Sequence, residues 1–333
     1  MPFIYHEDDG DMDDLAGRQV SLIGYGHLGR PMALNLRDSG VAVVVGTRGE
    51  DSREQARADG FEATTIEDAV RRGQIIFMLL PDEVMPPFYL EQVSPYLQRD
   101  DMLVFGSAYN IAFGFIEAPA FVDVGLLAPR LTGAAVRERY ASGAGYCSFV
   151  SIGQDASGQA WRRLLGLARA AGALRGGAIE VSFEQETELD LFAQQVVMPI
   201  MQHVIQKAAQ LLISRGYPPE AVLTELYLSG EFAHYLQQAE QVGLLPALKQ
   251  TSLTSQYGTF SRLDRFNDLK LERLMEVTLD EIHNGRFAQE WVKEAADGYR
   301  RLNHLAKSQE DLELFELEQQ ALDLLGRSDE FSG

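Results

Sequence analysis

The sequence is poor in cysteine, in basic residues and in long apolar runs. A single cysteine in 333 residues, Cys147, excludes an intrachain disulfide and favours the cytoplasm. With 29 Lys and Arg against 49 Asp and Glu, the formal net charge is −20, which argues against nucleic-acid and anionic-membrane surfaces. No apolar run reaches the ~20 residues of a membrane-spanning helix, and the acidic stretch 6–11 lacks the basic-then-apolar order of a signal peptide. These shortages predict a cytoplasmic protein that binds neither nucleic acid nor membranes.

A glycine fingerprint follows the first predicted buried strand, residues 20–23. Gly24-Tyr25-Gly26-His27-Leu28-Gly29 has the G-x-G-x-x-G spacing between a strand and a helix. In such a turn the first glycine allows the tight turn, the second allows close approach of a pyrophosphate, and the third allows close helix–strand packing. The N-terminus of the following helix offers free N–H groups and the positive end of its dipole. The pattern predicts a dinucleotide site, and a glycine-rich turn without a ligand is the alternative.

The segment expected to meet the adenosine ribose follows the second predicted strand, 41–45. Arg48 suits stacking on adenine or contact with a 2′-phosphate. Asp51, beside Glu50, would repel a 2′-phosphate and accept hydrogen bonds from ribose hydroxyls. Ser52 and Arg53 favour the 2′-phosphate instead. The segment favours NADH slightly and leaves NADPH open.

The rhythm of the chain changes near residue 180. Before it, strand and helix patterns alternate as in a parallel doubly wound sheet; after it, long helical periods dominate. We predict an α/β Rossmann domain over 1–181 and an all-α domain over 182–333. Further predicted strands are 75–80, 102–105, 122–127 and 147–152; predicted helices are 54–59, 66–72, 186–215, 219–242, 265–284, 286–296 and 309–326.

Short motifs along the chain also point to a family. They are Ile23-Gly24-Tyr25-Gly26, Leu79-Leu80-Pro81-Asp82-Glu83, Asn110-Ile111, Gln154-Asp155-Ala156-Ser157-Gly158, Glu186-Thr187-Glu188 with Asp190-Leu191-Phe192, and Tyr257-Gly258. With these motifs in this order, residues 3 to about 325 resemble ketol-acid reductoisomerases of the short class. The resemblance implies a Rossmann domain followed by a knotted helical domain that pairs with a second subunit, so a homodimer or higher homo-oligomer.

Family members use NADPH and two magnesium ions to shift an alkyl group in an acetohydroxy acid and then reduce the resulting ketone, in branched-chain amino-acid biosynthesis. For the nicotinamide cofactor the expected contacts are Gly24, Tyr25, Gly26, His27, Leu28, Gly29, Arg48, Asp51, Ser52, Leu80, Pro81, Asp82, Ser107 and Gly133.

The sequence differs from the family at two of the residues that bind the metal ions. The family holds its two ions with four carboxylates, as two pairs spaced i, i+4 on two helices. Here Asp190 is followed by Gln194, and Glu231 is preceded by Tyr227. Glu225 does not substitute, because six residues turn an ideal helix by about 240°.

Other family positions differ as well. Ser107 and Ala112 stand where the family has histidines, and Arg130 replaces a lysine; Ser252 matches a substrate-binding serine. Half the anionic ligands are gone, so we expect at most one weakly held Mg²⁺, on Asp190 and Glu231. We expect the substrate to be surrounded by Asp190, Gln194, Tyr227, Glu231, Ser252 and Arg130.

Two of these residues have specific expected roles. Arg130 would clamp a carboxylate with its planar fork, with a surface ion pair as the alternative, and Tyr227 would donate a hydrogen bond or a proton. Because hydride transfer does not require the metals, the sequence predicts an NAD(P)H-dependent reductase of a small keto acid, hydroxyketone or imine. Alkyl migration would not be obligatory, and the setting would be a specialised biosynthetic pathway. The alternatives are a working Mg²⁺-dependent acetohydroxy-acid isomeroreductase and a non-catalytic nucleotide-binding protein.

Overall fold

A computed structural model describes residues 3–266 and 269–327. The residues up to Asp190 cluster into one unit and those from Leu191 into a second. The sequence predicts that the second domain begins at residue 182, nine residues earlier than the second unit, and that boundary stays a prediction.

Nine strands of the first unit form a single sheet. They are β1 Ile4–Tyr5, β2 Val20–Ile23, β3 Val43–Gly46, β4 Glu62–Thr64, β5 Ile75–Met78, β6 Met102–Phe105, β7 Asp123–Pro129, β8 Ser148–Gln154 and β9 Ala178–Glu180. Their order is β1-β9-β8-β7-β6-β5-β2-β3-β4. In the part of the sheet that extends from β7 to β4, all neighbouring strands are parallel. At the other end, β8 is antiparallel to β7 and β1 is antiparallel to β9. The chain order reverses between β2 and β5, which is where doubly wound sheets bind their ligands, beyond the carboxyl ends of the strands.

Helices cover both faces of this sheet. Those that precede the second unit are α1 Gly29–Asp38, α2 Glu50–Ala58, α3 Ile66–Val70, α4 Met85–Phe88, α5 Tyr109–Ala112, α6 Gly133–Ala141 and α7 Ala160–Ala171, followed by α8 Phe183–Phe192. Strands β2, β5 and β6 are buried along their whole length, and one apolar cluster lies on each face. The predicted α/β doubly wound fold is confirmed.

The short edge strands escape the sequence patterns. The strands β1, β4 and β9 have only two or three residues each, too few for an alternation to be recognised. The predicted parallel sheet also contains one antiparallel neighbour of β7, the strand β8, which follows β7 in the chain after α6.

The second unit is helical, as predicted. Its helices are α9 Met198–Ser214, α10 Pro219–Leu223, α11 Glu231–Val242, α12 Leu244–Lys249, α13 Leu253–Phe260, α14 Leu269–His283, α15 Arg286–Ala296, α16 Arg300–Glu310 and α17 Glu313–Leu324. The predicted helix 265–284 includes residues 267–268, which lie outside the described residues. A buried cluster joins α9, α10 and α17 around Ala209, Val222 and Ala321. The knotted topology stays a prediction.

Two predicted helices are irregular where the family has its metal ligands. The helix predicted over 186–215 contains a π turn at Ala193–Val197. The helix predicted over 219–242 is wrong as a single element, because it contains a π turn at Thr224–Leu228 and breaks at Gly230, whose φ is +81°. The i, i+4 spacing of an ideal α-helix therefore does not describe Tyr227 and Glu231, which lie on opposite sides of the break.

One helical run is longer and more apolar than the sequence analysis allowed. Among the described residues, Phe183–Ser214 has the length and composition of a membrane span, with a mean hydropathy of 1.2 over its most apolar window. Only 11 % of that window is buried. Helices of soluble proteins meet the same criterion, so this run alone is weak evidence for a membrane.

Candidate active site

The glycine fingerprint has the geometry that each glycine was predicted to provide. Gly24 has a φ of +101°, in the region that favours glycine. A Cβ on Gly29 would lie 2.1 Å from the Gly24 carbonyl oxygen, so that only glycine permits this close packing. Around Gly26, in contrast, a Cβ would meet nothing within 4 Å. The turn therefore leaves open space in front of the N-terminus of α1, where an anionic pyrophosphate is favoured.

A cleft of about 660 Å³ extends from this turn along the carboxyl ends of the strands. Eleven of the fourteen predicted cofactor residues line it: Gly24, Tyr25, Gly26, His27, Leu28, Arg48, Ser52, Leu80, Pro81, Asp82 and Ser107. The cleft is also lined by residues that were not predicted, among them Thr47, Gly49, Glu83, Phe88 and Gly106. The position of Thr47, Glu83 and Gly106 soon after β3, β5 and β6 is the signal that could have found them, whereas Phe88 belongs to α4.

Three predicted cofactor residues lie outside the cleft wall. Gly29 and Gly133 are buried, and a Cβ on Gly133 would lie 1.6 Å from the His27 carbonyl oxygen. Gly133 therefore supports the fingerprint loop from behind. Asp51 is exposed in the first turn of α2, adjacent in sequence to the cleft residue Ser52.

Tyr25 lines the cleft, and its side chain contacts Phe61 and Asp59. The ring is buried against Phe61, and its hydroxyl donates to Asp59 Oδ2 at 2.8 Å. Burial and this hydrogen bond raise the pKa of Tyr25. Arg30 also donates to Asp59, at 2.6 Å, and this contact holds the pKa of the Asp59 carboxyl below its usual range. The carboxylate thus ties the fingerprint loop to the end of α2.

At the adenosine end, the basic side chains already have partners. The Arg48 guanidinium lies 5.5 Å from the centre of the Phe88 ring. Arg53 pairs with Glu50 at 2.6 Å and donates to the Thr47 carbonyl at 3.2 Å. Arg57 donates to the other Glu50 oxygen at 2.9 Å. The positive charge that the sequence offered to a 2′-phosphate through Arg53 is therefore committed to Glu50.

At the opposite end, Asp82 follows β5 and Ser107 follows β6. Burial, together with repulsion from Glu83, Glu186 and Asp190, raises the pKa of Asp82 to about 7, and the Ser107 hydroxyl opposes this rise. The surroundings at this end of the cleft thus disfavour the charged form of the Asp82 carboxyl group.

Arg130 lies between two carboxylates of α8. Its Nη2 donates to Glu186 Oε1 at 3.1 Å and its Nη1 donates to Asp190 Oδ1 at 3.2 Å. The guanidinium carbon also lies over the Phe149 ring, 4.9 Å from the ring centre. The fork that the sequence analysis assigned to a substrate carboxylate is thus occupied by the protein's own carboxylates.

Glu186 is the residue that the sequence analysis did not assign to the site. It belongs to an acidic run that is typical of a solvated helix face, yet it is only 1 % exposed. Its second oxygen accepts the Ala108 N–H at 3.0 Å. Burial raises the pKa of Glu186, and Arg130 and the Ala108 N–H oppose that rise. Its place in a family motif was the available signal.

The predicted site residues of the second unit have diverse local roles. The Tyr227 hydroxyl donates to Glu318, and burial and this contact raise the pKa of the phenol, which makes it a poorer proton donor. Ser252 caps α13 by accepting the Ser255 N–H at 3.2 Å. Gln194 and Glu231 are exposed, the latter as the first residue of α11.

The residues present do not fit a pair of magnesium ions. Gln194 offers a neutral amide, Tyr227 offers a phenol bonded to Glu318, and Asp190 carries an ion pair with Arg130. Hard divalent cations need several anionic oxygens, and a permanent guanidinium beside Asp190 repels a cation there.

Comparison with known proteins identifies the family. The profile described as "Acetohydroxy acid isomeroreductase, NADPH-binding domain" matches residues 14–177, and that of the "Ketol-acid reductoisomerase, C-terminal domain" matches 183–325. The chain belongs to the ketol-acid reductoisomerase family.

Relatives within this family cover nearly the whole chain. A ketol-acid reductoisomerase (NADP(+)) of Methanothermobacter thermautotrophicus is 36% identical over 316 residues, covering 94% of this chain and 96% of the relative. That of Sulfolobus acidocaldarius is 40% identical over 301 residues, 90% of each chain. The solved structure of an NADH-preferring ketol-acid reductoisomerase from an uncultured archean superposes with a TM-score of 0.91 at 31% identity, covering 97% of this chain and 99% of that one. This ketol-acid reductoisomerase-like chain is therefore an NAD(P)H-dependent oxidoreductase with a small-molecule substrate.

Proposed function

We propose that the protein reduces a small keto acid, hydroxyketone or imine with NAD(P)H and does not require alkyl migration. The observation that carries this proposal is the double ion pair of Arg130 with Glu186 and Asp190. Alkyl migration in the family depends on two bridged cations that polarise the substrate oxygens. Here a side-chain cation stands beside the one carboxylate retained from the first ligand pair.

The cleft retains what a reduction needs. Bound NAD(P)H supplies a hydride to the carbon of a C=O or C=N group. The open space at Gly26 and the N-terminus of α1 hold the pyrophosphate, and Arg48 with Phe88 flanks the adenosine end. The residues after β5 and β6 line the other end, where the reacting carbon would lie.

A substrate panel tests this proposal. Small keto acids, hydroxyketones and cyclic imines, each with NADH or NADPH in the presence of EDTA, are expected to give oxidation of the nucleotide for at least one class. Nucleotide binding without oxidation by any member of the panel would instead support a non-catalytic nucleotide-binding protein.

A working Mg²⁺-dependent isomeroreductase is the second candidate. The identity of 36–40% to ketol-acid reductoisomerases (NADP(+)) over at least 90% of the chain favours it. Its two metals would then need ligands other than the family's four carboxylates, and one weakly held Mg²⁺ on Asp190 and Glu231 is the most that the retained carboxylates supply.

We also propose that the protein prefers NADH to NADPH. Glu50 neutralises Arg53 and Arg57, and Asp51 adds a carboxylate next to the cleft residue Ser52. The negative charge of Asp51 repels a 2′-phosphate, and Arg53 is already paired with Glu50, so the segment favours a free 2′-hydroxyl. The NADH preference of the solved relative supports the same choice.

Asp51→Ser is expected to reduce the difference between the affinities for NADH and NADPH. Removing the carboxylate reduces repulsion of the 2′-phosphate, so we expect the NADPH dissociation constant to fall about 3- to 10-fold, as for an interaction of about 1 kcal/mol, with little change for NADH. Titration by nucleotide fluorescence measures both constants. Glu54→Gln, an exposed substitution farther along α2, is the matched control for the loss of one negative charge. Tighter binding of NADPH than NADH by the unmodified protein would contradict the proposal.

We further propose a cytoplasmic homodimer or higher homo-oligomer. Large apolar side chains of the second unit are exposed in the single chain, among them Leu253, Leu244 and Leu211, and exposed apolar patches of this kind mark protein interfaces. Sedimentation velocity measures the assembly directly, and a monomer at micromolar concentration would contradict it.

A further inference from the structure

The ionisable side chains of the cleft wall differ in sign between the two ends of the cleft. Arg48 lies at the adenosine end, over the Phe88 ring. At the other end, where the reacting carbon lies in the proposed reduction, the wall contains Asp82 and Glu83, both acidic. Glu83 is partly buried and makes no hydrogen bond or ion pair with any residue that the structure describes. The reacting end of the cleft therefore presents carboxyl groups to a substrate.

The cation beside this end, Arg130, is shared between two carboxylates. Its guanidinium donates to Glu186 at 3.1 Å and to Asp190 at 3.2 Å. The Ala108 N–H, one residue beyond the cleft wall, donates to the other Glu186 oxygen at 3.0 Å, and both carboxylates act electrostatically on Asp82. Two carboxylates outnumber one guanidinium, and the Asp190 side chain is 42 % exposed. The groups next to the cleft therefore add negative charge to its reacting end.

This charge distribution discriminates between the substrate classes of the proposed reduction. A keto acid carries a carboxylate, which the acidic groups repel, whereas a protonated imine carries a positive charge on its C=N group, which they attract. Charges interact more strongly in a partly desolvated cleft than in water. A bound cation would also lower the pKa of Asp82, which its surroundings raise. The electrostatics of the reacting end thus favour binding of a protonated imine.

The change in charge during hydride transfer favours the same class. When a hydride adds to a neutral C=O group, the electron pair of the π bond moves to oxygen, and negative charge develops beside the acidic groups. When a hydride adds to C=N⁺, a C–H bond forms and the π electron pair becomes the lone pair of a neutral amine. The positive charge passes to the nicotinamide ring, so the total charge in the cleft is unchanged. No proton has to be delivered in this step.

We propose that the preferred substrate is a protonated imine and that Glu83 and Asp190 determine this specificity. The assignment rests on the reductase activity proposed above. The two carboxylates attract the iminium ion and stabilise its positive charge until the hydride has been transferred. The products are an amine and the oxidised nucleotide. A keto acid enters the same cleft but is reduced more slowly, because its carboxylate is repelled.

Glu83→Gln and Asp190→Asn test this assignment with substrates of opposite charge. The 1-methyl-1-pyrrolinium ion is a cationic probe whose nitrogen has no titratable proton, and pyruvate is an anionic one; each is assayed with NADH in EDTA. We expect the unmodified protein to have the higher kcat/KM for the pyrrolinium ion. Each substitution should lower this kcat/KM about 10-fold and raise that for pyruvate, because one attractive or repulsive charge is removed. Cyclopentanone, a neutral ketone of the same ring size, should change by less than about twofold.

Opposite changes for the two charged probes cannot result from damage to the fold, which would lower both values. Glu184→Gln is the matched control, because it removes one negative charge from an exposed position of α8 where Glu184 accepts the Ser182 hydroxyl. It should change neither value by more than about twofold, since water and salt screen an exposed charge. A higher kcat/KM for pyruvate than for the pyrrolinium ion, or equal changes for both probes in the two variants, would overturn the assignment and leave the reductase intact. Absence of nucleotide oxidation with every substrate would instead refute the proposed function.

Discussion

Gly26→Val is expected to abolish binding of NADH and NADPH while the protein stays folded. A Cβ at Gly26 meets nothing within 4 Å, and the residue does not have a positive φ. The valine therefore fits the folded chain and instead fills the space that the pyrophosphate needs at the N-terminus of α1. We expect the dissociation constants to rise about 100-fold or more, equivalent to about 2.7 kcal/mol, and the free energy of unfolding to change by less than about 1 kcal/mol.

Gly29→Val is the matched comparison for Gly26→Val. A Cβ here would lie 2.1 Å from the Gly24 carbonyl oxygen, so the helix and loop must separate. We expect a loss of at least about 2 kcal/mol in the free energy of unfolding, at the upper end for an overpacked site. Urea denaturation and nucleotide titration measure the two properties. Equal effects of both substitutions on stability, or retained nucleotide binding in Gly26→Val, would contradict the assignment of the turn.

Arg130→Met is expected to destabilise the first unit by about 3 kcal/mol at pH 8, as when one partner of a buried ion pair is removed. The size of the loss follows from Glu186, whose side chain is 2 % exposed. Without Arg130, the Ala108 N–H is the one hydrogen-bond donor to Glu186 that remains among the residues that the structure describes. Asp190 contributes less, because its side chain is 42 % exposed and water replaces the guanidinium.

The loss of stability caused by Arg130→Met should become smaller as the pH falls. The pKa of Glu186 is already raised by burial, and removing Arg130 raises it further. A carboxyl group whose folded-state pKa lies above its unfolded-state pKa destabilises the fold once the pH exceeds the unfolded value. The free energy of unfolding of the variant therefore approaches that of the unmodified protein in acid, where Glu186 is protonated.

Two controls define the result for Arg130. Arg71→Met breaks an exposed i, i+4 pair with Glu67, and we expect a change below about 0.5 kcal/mol. Combining Arg130→Met with Glu186→Gln should recover part of the lost stability, because no buried charge remains. If the stability lost in Arg130→Met does not depend on pH, Arg130 stabilises the unit through its packing on Phe149 and not through its ion pair with Glu186.

The sequence predicts best where several constraints act on the same residues. Strands β2, β5 and β6 are buried on both faces, so they appear in the sequence as short apolar runs, interrupted only by the small Ser21 of β2. Gly24 and Gly29 are required by a positive φ and by a close contact, respectively. The nucleotide cleft is therefore predictable from local sequence, apart from residues such as Phe88, which reaches it from α4.

The other features of the site and fold depend on contacts between residues that are far apart in the sequence. Glu186 lies in an acidic run, and only its contacts with Arg130 and Ala108, far away in sequence, show why it is buried. Periodicity extends a helix through Gly230, whereas the chain breaks there. Glu225 was therefore excluded as a partner of Glu231 on an ideal-helix geometry that the chain does not adopt.

The most direct test of the central claim compares two substrates with and without magnesium. The first is 2-acetolactate, whose methyl group must migrate before reduction can give the rearranged dihydroxy acid, and the second is the keto acid that this rearrangement produces. We expect nucleotide oxidation with the rearranged keto acid in EDTA, and no rearranged dihydroxy acid from 2-acetolactate even in millimolar Mg²⁺. Mg²⁺-dependent turnover of 2-acetolactate at a rate similar to that of the rearranged acid would contradict it.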